Sequence, residues 1–217
     1  METQIIIVAG GKGKRMQSDI PKQFLLLKGK PILMHTIEQF TTFSNDIFLV
    51  LPKTDILLWE KLVSKYEFKI KLTIIEGGEE RFFSVRNAIK KCSDDGIILI
   101  HDGVRPLVSK ETISNVINEV SENNSAIPVL DIYDSIREIE KNNSFPVDRS
   151  KYKLIQTPQG FSAKMIKQSY NQDFDTKFTD DASVFENAGN KISLVKGNKE
   201  NIKITTVEDI KLAEFYQ

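Results

Sequence analysis

The chain contains few of the side chains that most often act as nucleophiles or general bases. Its 217 residues include one cysteine, Cys92, and two histidines, His35 and His101. A lone cysteine excludes a disulfide framework and a thiolate zinc site, and it fits a reducing compartment, so we expect a cytoplasmic protein. His35 falls within a helical pattern and His101 lies at the end of a strand pattern, and we interpret both as structural.

Long apolar runs and an excess of charge of either sign are also missing. No run approaches the length of a membrane-spanning helix, and the opening residues METQIIIVAGG contain no basic leader, so we expect neither membrane insertion nor export. Thirty basic residues balance thirty acidic ones, so no global field would attract nucleic acid or an anionic membrane. A polyanion would have to be bound by a local group of cations.

What the sequence does contain is a regular alternation of strand and helix patterns. Five short β-branched runs predict buried strands at Gln4–Val8, Asp46–Leu51, Leu72–Ile75, Gly96–Ile100 and Ser125–Val129. Helices are predicted at Pro31–Phe43, Ser109–Asn123, Ser162–Asn171, Thr179–Ala188 and Thr206–Phe215, the last two with threonine N-caps. The alternation predicts an α/β fold with a Rossmann-like, mostly parallel sheet flanked by helices, and the length predicts a single domain over residues 1–217.

A different pattern covers residues 134–152, with the sequence DSIREIEKNNSFPVDRSKY. Apolar and polar residues alternate there with a period of two, and Lys141–Ser144 form a polar turn. This pattern predicts a β-hairpin arm that projects from the sheet.

The strand ends indicate where a ligand would bind, since the crevice of an open parallel sheet lies beyond the carboxyl ends of its strands. Four segments follow predicted strands and are expected to meet at that edge: AGGKGKR, GGEERFFS, HDGVRP and PVLDIYDS.

The first of these segments, within VAGGKGKRMQSDIPKQF, combines glycines with cations. It is not a P-loop, and Met16 stands where a dinucleotide fingerprint needs its third glycine, so NAD binding is disfavoured. The backbone N–H groups of a glycine loop can bind phosphate, and Lys14, Arg15 and Lys22 could neutralise charge on a phosphorus centre and a departing pyrophosphate. A solvated lysine-rich loop explains the same residues about as well.

The next two strand-end segments carry further candidates. Gly77 and Gly78 allow close approach of a ligand, and Ser84 lies near a helix start, so a nucleobase could bind there. Asp102 and Arg105 follow the next strand, where a carboxylate could hold Mg²⁺ or a hydroxyl and an arginine could hold a phosphate.

Two arginines of the second segment have a simpler interpretation. Arg81 and Arg86 could form ordinary ion pairs with Glu79 or Glu80, and for Arg86 this interpretation is preferred.

In their order and spacing, the motifs AGGKGKRM, PKQF, GGEERFFSV, HDGVRP, VDR, QTPQGF, TDDASVFE and NIKITTVEDIKLAE resemble the 2-C-methyl-D-erythritol 4-phosphate cytidylyltransferases of the non-mevalonate isoprenoid pathway. The resemblance covers essentially the whole chain. It implies a nucleotidyltransferase that joins CTP to the polyol phosphate and releases pyrophosphate, with Mg²⁺ as cofactor. It also implies a homodimer in which the hairpin arms complete each other's sites.

The resemblance also implies roles for individual residues. It assigns CTP binding to Ala9, Gly10, Gly11, Gly13, Lys14, Gly78 and Ser84. It assigns the polyol phosphate side to Asp102, Arg105, Thr157, Thr179 and Lys203, with Arg149 supplied by the arm of a partner subunit. The catalytic group implied in this way consists of Arg15, Lys22, Arg149 and Lys203, and Asp102 is the candidate metal contact.

Several alternatives remain open at this point. A ribitol 5-phosphate cytidylyltransferase would share the fold and nucleotide loop, although the spacing in SDIPKQF favours methylerythritol phosphate. A UTP- or GTP-dependent sugar-phosphate enzyme and a non-catalytic nucleotide-binding module are more distant possibilities. The segment PVLDIYDSIRE leaves undecided whether Asp131, Asp134 or Ser135 faces the site.

Overall fold

The computed structural model of the protein describes residues 2–11, 20–141 and 143–217. The strands in these ranges are β1 (Thr3–Val8), β2 (Leu26–Leu27), β3 (Lys30–Pro31), β4 (Asp46–Leu51), β5 (Thr73–Glu76), β6 (Ile97–Asp102), β7 (Ser125–Asp131), β8 (Arg137–Glu140), β9 (Asn143–Pro146), β10 (Lys153–Ile155), β11 (Gln159–Ser162) and β12 (Leu194–Lys196). The α-helices are α1 (Ile32–Glu38), α2 (Lys53–Lys65), α3 (Arg81–Ile89), α4 (Lys110–Asn123), α5 (Ala163–Ser169), α6 (Asp181–Asn187) and α7 (Val207–Tyr216).

The central sheet has the strand order β10-β7-β11-β6-β1-β4-β5, and β12 pairs with β7. Strand β1 runs parallel to both β4 and β6, and β4 runs parallel to β5. Strands β10 and β11 are antiparallel to their neighbours. Val8 lies opposite both Val50 and Asp102, so the carboxyl ends of β1, β4 and β6 meet at one edge of the sheet.

Both faces of the sheet are covered by helices, which explains why its strands are apolar without a two-residue alternation. Ile5 and Ile7 of β1 belong to one core cluster, with Trp59 of α2 and residues of α1 and α4. Ile6 points to the opposite face and belongs to a second cluster, with Val85 of α3 and residues of α5 and α6. The mostly parallel sheet flanked by helices is therefore confirmed. Within the described residues, the helices are too short or too polar to cross a bilayer.

The predicted elements are present, and their boundaries differ by a few residues. Strand β6 continues to Asp102, so this carboxylate belongs to the last residue of a buried strand and not to the loop after it. Helix α1 ends at Glu38 and is followed by turns, so the prediction of a helix to Phe43 was too long. The N-cap of α6 is Asp180 and not Thr179, because the Asp180 carboxylate accepts the N–H of Ser183. The Thr206 cap of α7 is confirmed.

The hairpin arm is formed by β8 and β9, which pair from Arg137 opposite Pro146 to Glu140 opposite Asn143. The turn is tighter than predicted, since β9 begins at Asn143. Ile139 and Phe145 are exposed on this two-stranded ribbon by 69% and 47%. Such a ribbon buries little of its own apolar surface.

Candidate functional site

A cleft of about 280 Å³ lies at the sheet edge where β1, β5 and β6 end. Predicted site residues that line it are Ala9, Gly10, Gly11, Lys22, Gly78, Ser84, Asp102 and Lys203. Val8, Gln23, Glu79, Glu80, Arg81 and Val104 complete the described lining. Three of the four predicted strand-end segments, those after β1, β5 and β6, therefore meet in one cleft, whereas the fourth, PVLDIYDS, contributes no residue to its described lining.

The start of the glycine loop is held in place by backbone and side-chain hydrogen bonds. The N–H of Ala9 donates to the carbonyl oxygen of Val50 over 2.9 Å. Lys22 lines the same cleft as Gly11, and its Nζ donates to the carbonyl oxygen of Ile204 over 3.3 Å. A Cβ at Gly11 would lie 3.6 Å from Cε of Lys22, so the loop and this cation are in direct contact range.

The predictions for Gly13, Lys14 and Arg15 lie outside the described residues. Of the glycines of this loop, the structure therefore places Gly10 and Gly11 at the cleft. The roles of Gly13, Lys14 and Arg15 remain predictions.

Gln23 is a contributor that the sequence analysis missed. Its Nε2 donates to the carbonyl oxygen of Ala9 over 2.9 Å and to Oδ2 of Asp55 over 3.0 Å. The residue is only 1% exposed, so these bonds form in a nearly dry environment. Gln23 thus fixes the point where the glycine loop leaves β1, and its presence in the PKQF motif was the available signal.

The loop of residues 77–80 after β5, here called the base loop because a nucleobase is predicted to bind there, is closed by Ser84. The N–H of Gly78 donates to Oγ of Ser84 over 3.0 Å, and the N–H of Gly77 donates to the carbonyl oxygen of Leu51 over 2.8 Å. A Cβ at Gly78 would lie 2.4 Å from Cβ of Phe83, a distance that a side chain cannot adopt without displacing the loop. Glycine is therefore required here by packing against α3.

Asp102 is surrounded by three cations. Its Oδ2 lies 3.0 Å from Nζ of Lys203 and 3.2 Å from Nε of Arg105, while Oδ1 lies 4.0 Å from Nε of Arg81. Burial alone would raise the pKa of Asp102, but Lys203, Arg81 and Arg105 more than offset it and hold this pKa well below its ordinary value. The carboxylate is ionised at neutral pH and orients the cations around the cleft.

Thr157 and His101 lie beside Asp102 and not in the lining of the cleft. The backbone N–H of Asp102 donates to Oγ1 of Thr157 over 3.1 Å, and this hydroxyl donates to Nδ1 of His101 over 2.9 Å. Nε2–H of His101 then donates to the carbonyl oxygen of Arg105 over 3.1 Å, which fixes the imidazole tautomer. Thr157 is 6% exposed, so the structure gives it a supporting position, and the structural interpretation of His101 holds.

The other predicted polyol residues are dispersed. Arg105 is nearly buried, and its Nη1 donates to the carbonyl oxygen of Asn201 over 2.8 Å. Thr179 is exposed and directly precedes the N-cap of α6. Arg149 is exposed in a short 3-10 turn after the hairpin, where its guanidinium donates to the carbonyl oxygen of Tyr133. None of the three belongs to the described lining of the cleft.

The interpretation of Arg86 as an ion pair with Glu79 or Glu80 was wrong, and the same pairing, considered for Arg81, is not formed either. Arg81 binds Asp181 with both terminal nitrogens, at 2.7 and 2.6 Å, and not Glu79 or Glu80. Asp181 lies 100 residues away in the chain, so only the fold brings the pair together. Arg86 is stacked over the rings of Phe82 and Phe83, at 5.4 and 4.9 Å from their centroids, without a carboxylate partner in the described ranges.

The comparison with protein families gives a match over nearly the whole chain. Residues 3–217 match the family model described as IspD, 2-C-methyl-D-erythritol 4-phosphate cytidylyltransferase. The chain is 46% identical over 216 residues to the protein of that name from Phocaeicola vulgatus, covering 99% of both chains. It is 48% identical over 210 residues to the protein of the same name from Bacteroides fragilis, covering 96% of both chains.

Solved structures give the same result at the level of fold. The IspD crystal structure from Francisella tularensis matches with a TM-score of 0.84 and 28% identity over the full length of both chains. The 4-diphosphocytidyl-2C-methyl-D-erythritol synthase from Anaerococcus prevotii matches with a TM-score of 0.83 and 29% identity, covering 99% of this chain and 97% of that one.

Proposed function

The chain belongs to the 2-C-methyl-D-erythritol 4-phosphate cytidylyltransferase family, a family of nucleotidyltransferases, and from this premise we propose how its cleft transfers CMP from CTP to methylerythritol phosphate. The observation that carries the proposal is the group of cations around Asp102, which faces the glycine loop across one cleft. The named relatives favour methylerythritol phosphate over the ribitol phosphate alternative.

The transfer is a direct displacement at the α-phosphorus of CTP. An oxygen of the acceptor phosphate forms a new bond to the α-phosphorus, and the bond from that phosphorus to the bridging oxygen of the β-phosphate breaks. Pyrophosphate leaves with the electron pair. Lys22 and Lys203 line the space where this charge develops, and Arg15 joins them in the proposal because the family motif carries it.

No enzymatic base is required, because the second pKa of a phosphate monoester is about 6 and the acceptor is already largely dianionic at neutral pH. His101 would be a poor base in any case. Burial lowers its pKa to about 4, and both ring nitrogens already have hydrogen-bond partners. The task of the site is to hold two anions together and to offset their repulsion.

Mg²⁺ is part of the proposal, and the CTP phosphates would be its main ligands. The described residues contain no cluster of three or more His, Cys, Asp or Glu side chains that could hold a metal by themselves. Asp102 supplies one carboxylate at the cleft, which suits an outer contact to the hydrated ion. When bound, the ion would neutralise charge on the triphosphate.

We further propose a homodimer in which the arm of one subunit brings Arg149 to the acceptor side of the other cleft. The arm carries exposed apolar side chains, and a groove of about 1000 Å³ between α4 and β12 is lined in part by Tyr133, Leu154 and Leu194. These three residues are also exposed by more than half. Apolar surface of this kind is typical of an interface, and a twofold dimer would cover it on both subunits.

Pyrophosphate release tests the proposed function. The protein is incubated with CTP and Mg²⁺ and with either methylerythritol 4-phosphate or ribitol 5-phosphate as acceptor. We expect release that depends on methylerythritol phosphate and a much lower rate with ribitol phosphate. Equal or better use of ribitol phosphate would contradict the acceptor assignment.

A cytoplasmic location is also proposed, and it is supported by the single free thiol of Cys92, which fits a reducing compartment.

A further inference from the structure

Arg81 lies between two carboxylates, that of Asp102 in the cleft and that of the buried Asp181 in α6. It is the first residue of α3, which follows the base loop. Its terminal nitrogens bind both oxygens of Asp181 at 2.7 and 2.6 Å, and its Nε lies 4.0 Å from Oδ1 of Asp102. The guanidinium also borders the cleft, where 30% of the side chain is exposed.

Both members of the Arg81–Asp181 pair have hydrogen-bond partners for the groups that face each other. Asp181 is completely buried, and its Oδ1 also accepts the hydroxyl of Tyr170 over 2.6 Å. Burial by itself would lower the pKa of Arg81, but the contact with Asp181 outweighs burial and raises this pKa. A planar, bidentate pair of this kind fixes the orientation as well as the distance of its members.

The pair connects the N-terminus of α3 to the N-terminus of α6. On the α3 side, Ser84 holds Gly78 of the base loop, and on the α6 side the N-cap Asp180 directly follows Thr179. The α6 terminus is also anchored to the central sheet, because Nε2 of Gln159 donates to Oδ2 of Asp180 over 2.7 Å and Oε1 of Gln159 accepts the N–H of Ala182 over 2.9 Å. Arg81 therefore ties the base loop to a point that the sheet holds fixed.

We propose that Arg81 is a positioning residue of the transfer reaction. It holds the base loop in a fixed position relative to the acceptor side of the cleft, and it orients Asp102. The inference rests on the proposed function, since it concerns the same cleft. Arg81 acts through Asp181 and Asp102, because both of its terminal nitrogens are committed to Asp181. It does not need to touch either substrate.

The test compares Arg81→Lys with Arg86→Lys on the same helix. Lysine retains the charge of Arg81 but cannot form the bidentate contact. We expect the KM for CTP to rise roughly tenfold in Arg81→Lys, the equivalent of about 1.4 kcal/mol, with a fall in kcat. Arg86 contacts two aromatic rings and no carboxylate in the described ranges, so Arg86→Lys reports the cost of an arginine-to-lysine change away from the cleft. Its kinetic constants should stay near those of the unmodified enzyme.

Thermal unfolding of each variant separates positioning from folding. Wild-type KM and kcat in a folded Arg81→Lys enzyme would overturn the positioning role, and a lowered melting temperature alone would not support it. If Arg81→Lys does not fold, Asp181→Asn replaces it, since an amide offers the two terminal nitrogens of Arg81 only one acceptor oxygen and cannot form the bidentate contact. A several-fold rise in the KM for CTP is expected, and an unchanged KM would overturn the inference. Absence of turnover in the unmodified enzyme would instead refute the proposed function.

Discussion

The hydroxyl of Thr157 donates to Nδ1 of His101 while it accepts the backbone N–H of Asp102. Burial keeps the imidazole neutral, and this chain of hydrogen bonds holds the last residue of β6 in place. One of the two histidines in the protein is therefore used to support the carboxylate of the cleft, and not to transfer a proton.

The buried His101 predicts an acid-sensitive fold. Its pKa is lowered from 6.5 to about 4, because burial disfavours the charged imidazolium. The unfolded chain then binds a proton that the folded chain does not, so stability falls as the pH is lowered from about 6.5 to about 4. The expected loss is about 3 kcal/mol for this group. Urea unfolding of the unmodified protein at several pH values measures this slope.

The matched variant for that experiment is His101→Asn, whose amide oxygen can accept the Thr157 hydroxyl. It should be less stable at neutral pH but show a smaller decrease between pH 6.5 and 4. His35 is also buried, its pKa is also lowered, and it remains in both proteins. An identical pH slope in the two proteins would mean that His101 does not cause the acid sensitivity.

Lys22 is predicted to act on the transition state more than on CTP binding. Its Nζ is positioned at the cleft by Ile204, next to the glycine loop. One charge directed at the transition state contributes roughly 3–4 kcal/mol, so Lys22→Ala should lower kcat by a few orders of magnitude. CTP affinity, measured by calorimetry, should change much less. Lys61→Ala, on an exposed position of α2, is the control for loss of a lysine, and near-normal turnover in Lys22→Ala would refute the role.

The sequence predicts the sheet and the cleft well because both depend on local patterns. Buried parallel strands require continuous apolar runs, and the residues that follow them converge wherever the strand order places them side by side. Asp102, Gly78 and Lys22 could be assigned to one site on that basis and on the family motifs, before any contact was known. The strand that precedes this site was predicted to end at Ile100, two residues before its actual end at Asp102, because a strand end has no sharp sequence signal.

The interactions that the sequence did not predict are those between distant segments. Arg81 and Asp181 are separated by 100 residues, and neighbouring glutamates offered a simpler pairing. Thr157 was assigned to the polyol by its motif, but its hydroxyl is already used by Asp102 and His101. Side-chain pairing of this kind depends on the packing of complete elements, which a local pattern cannot specify.

The contact between Gly78 and α3 predicts a graded response to alanine. A Cβ at Gly78 would lie 2.4 Å from Cβ of Phe83, which cannot move without the helix, whereas a Cβ at Gly77 would lie 3.1 Å from Oγ of Ser84. Gly78→Ala should therefore displace the base loop and raise the KM for CTP by at least roughly tenfold, while Gly77→Ala has a smaller effect. Steady-state kinetics at saturating acceptor measures both. A larger effect for Gly77→Ala would contradict the packing argument.

The arm predicts that two defective subunits can restore one working site. Arg149 lies outside the cleft of its own chain, in the turn after an exposed hairpin. If it acts on the partner's acceptor site, Arg149→Ala should chiefly raise the KM for the polyol phosphate, since a phosphate contact is lost while the CTP loop is intact.

Mixing Arg149→Ala with Lys22→Ala subunits should then create dimers in which one of the two sites has both residues. Activity of the mixture should rise well above that of either variant alone. Each mixed dimer has one working site, so it should reach about half of the activity of a normal dimer. Mass spectrometry of differently tagged subunits would establish that mixed dimers form. No gain in activity in the presence of mixed dimers would show that Arg149 does not act across the interface.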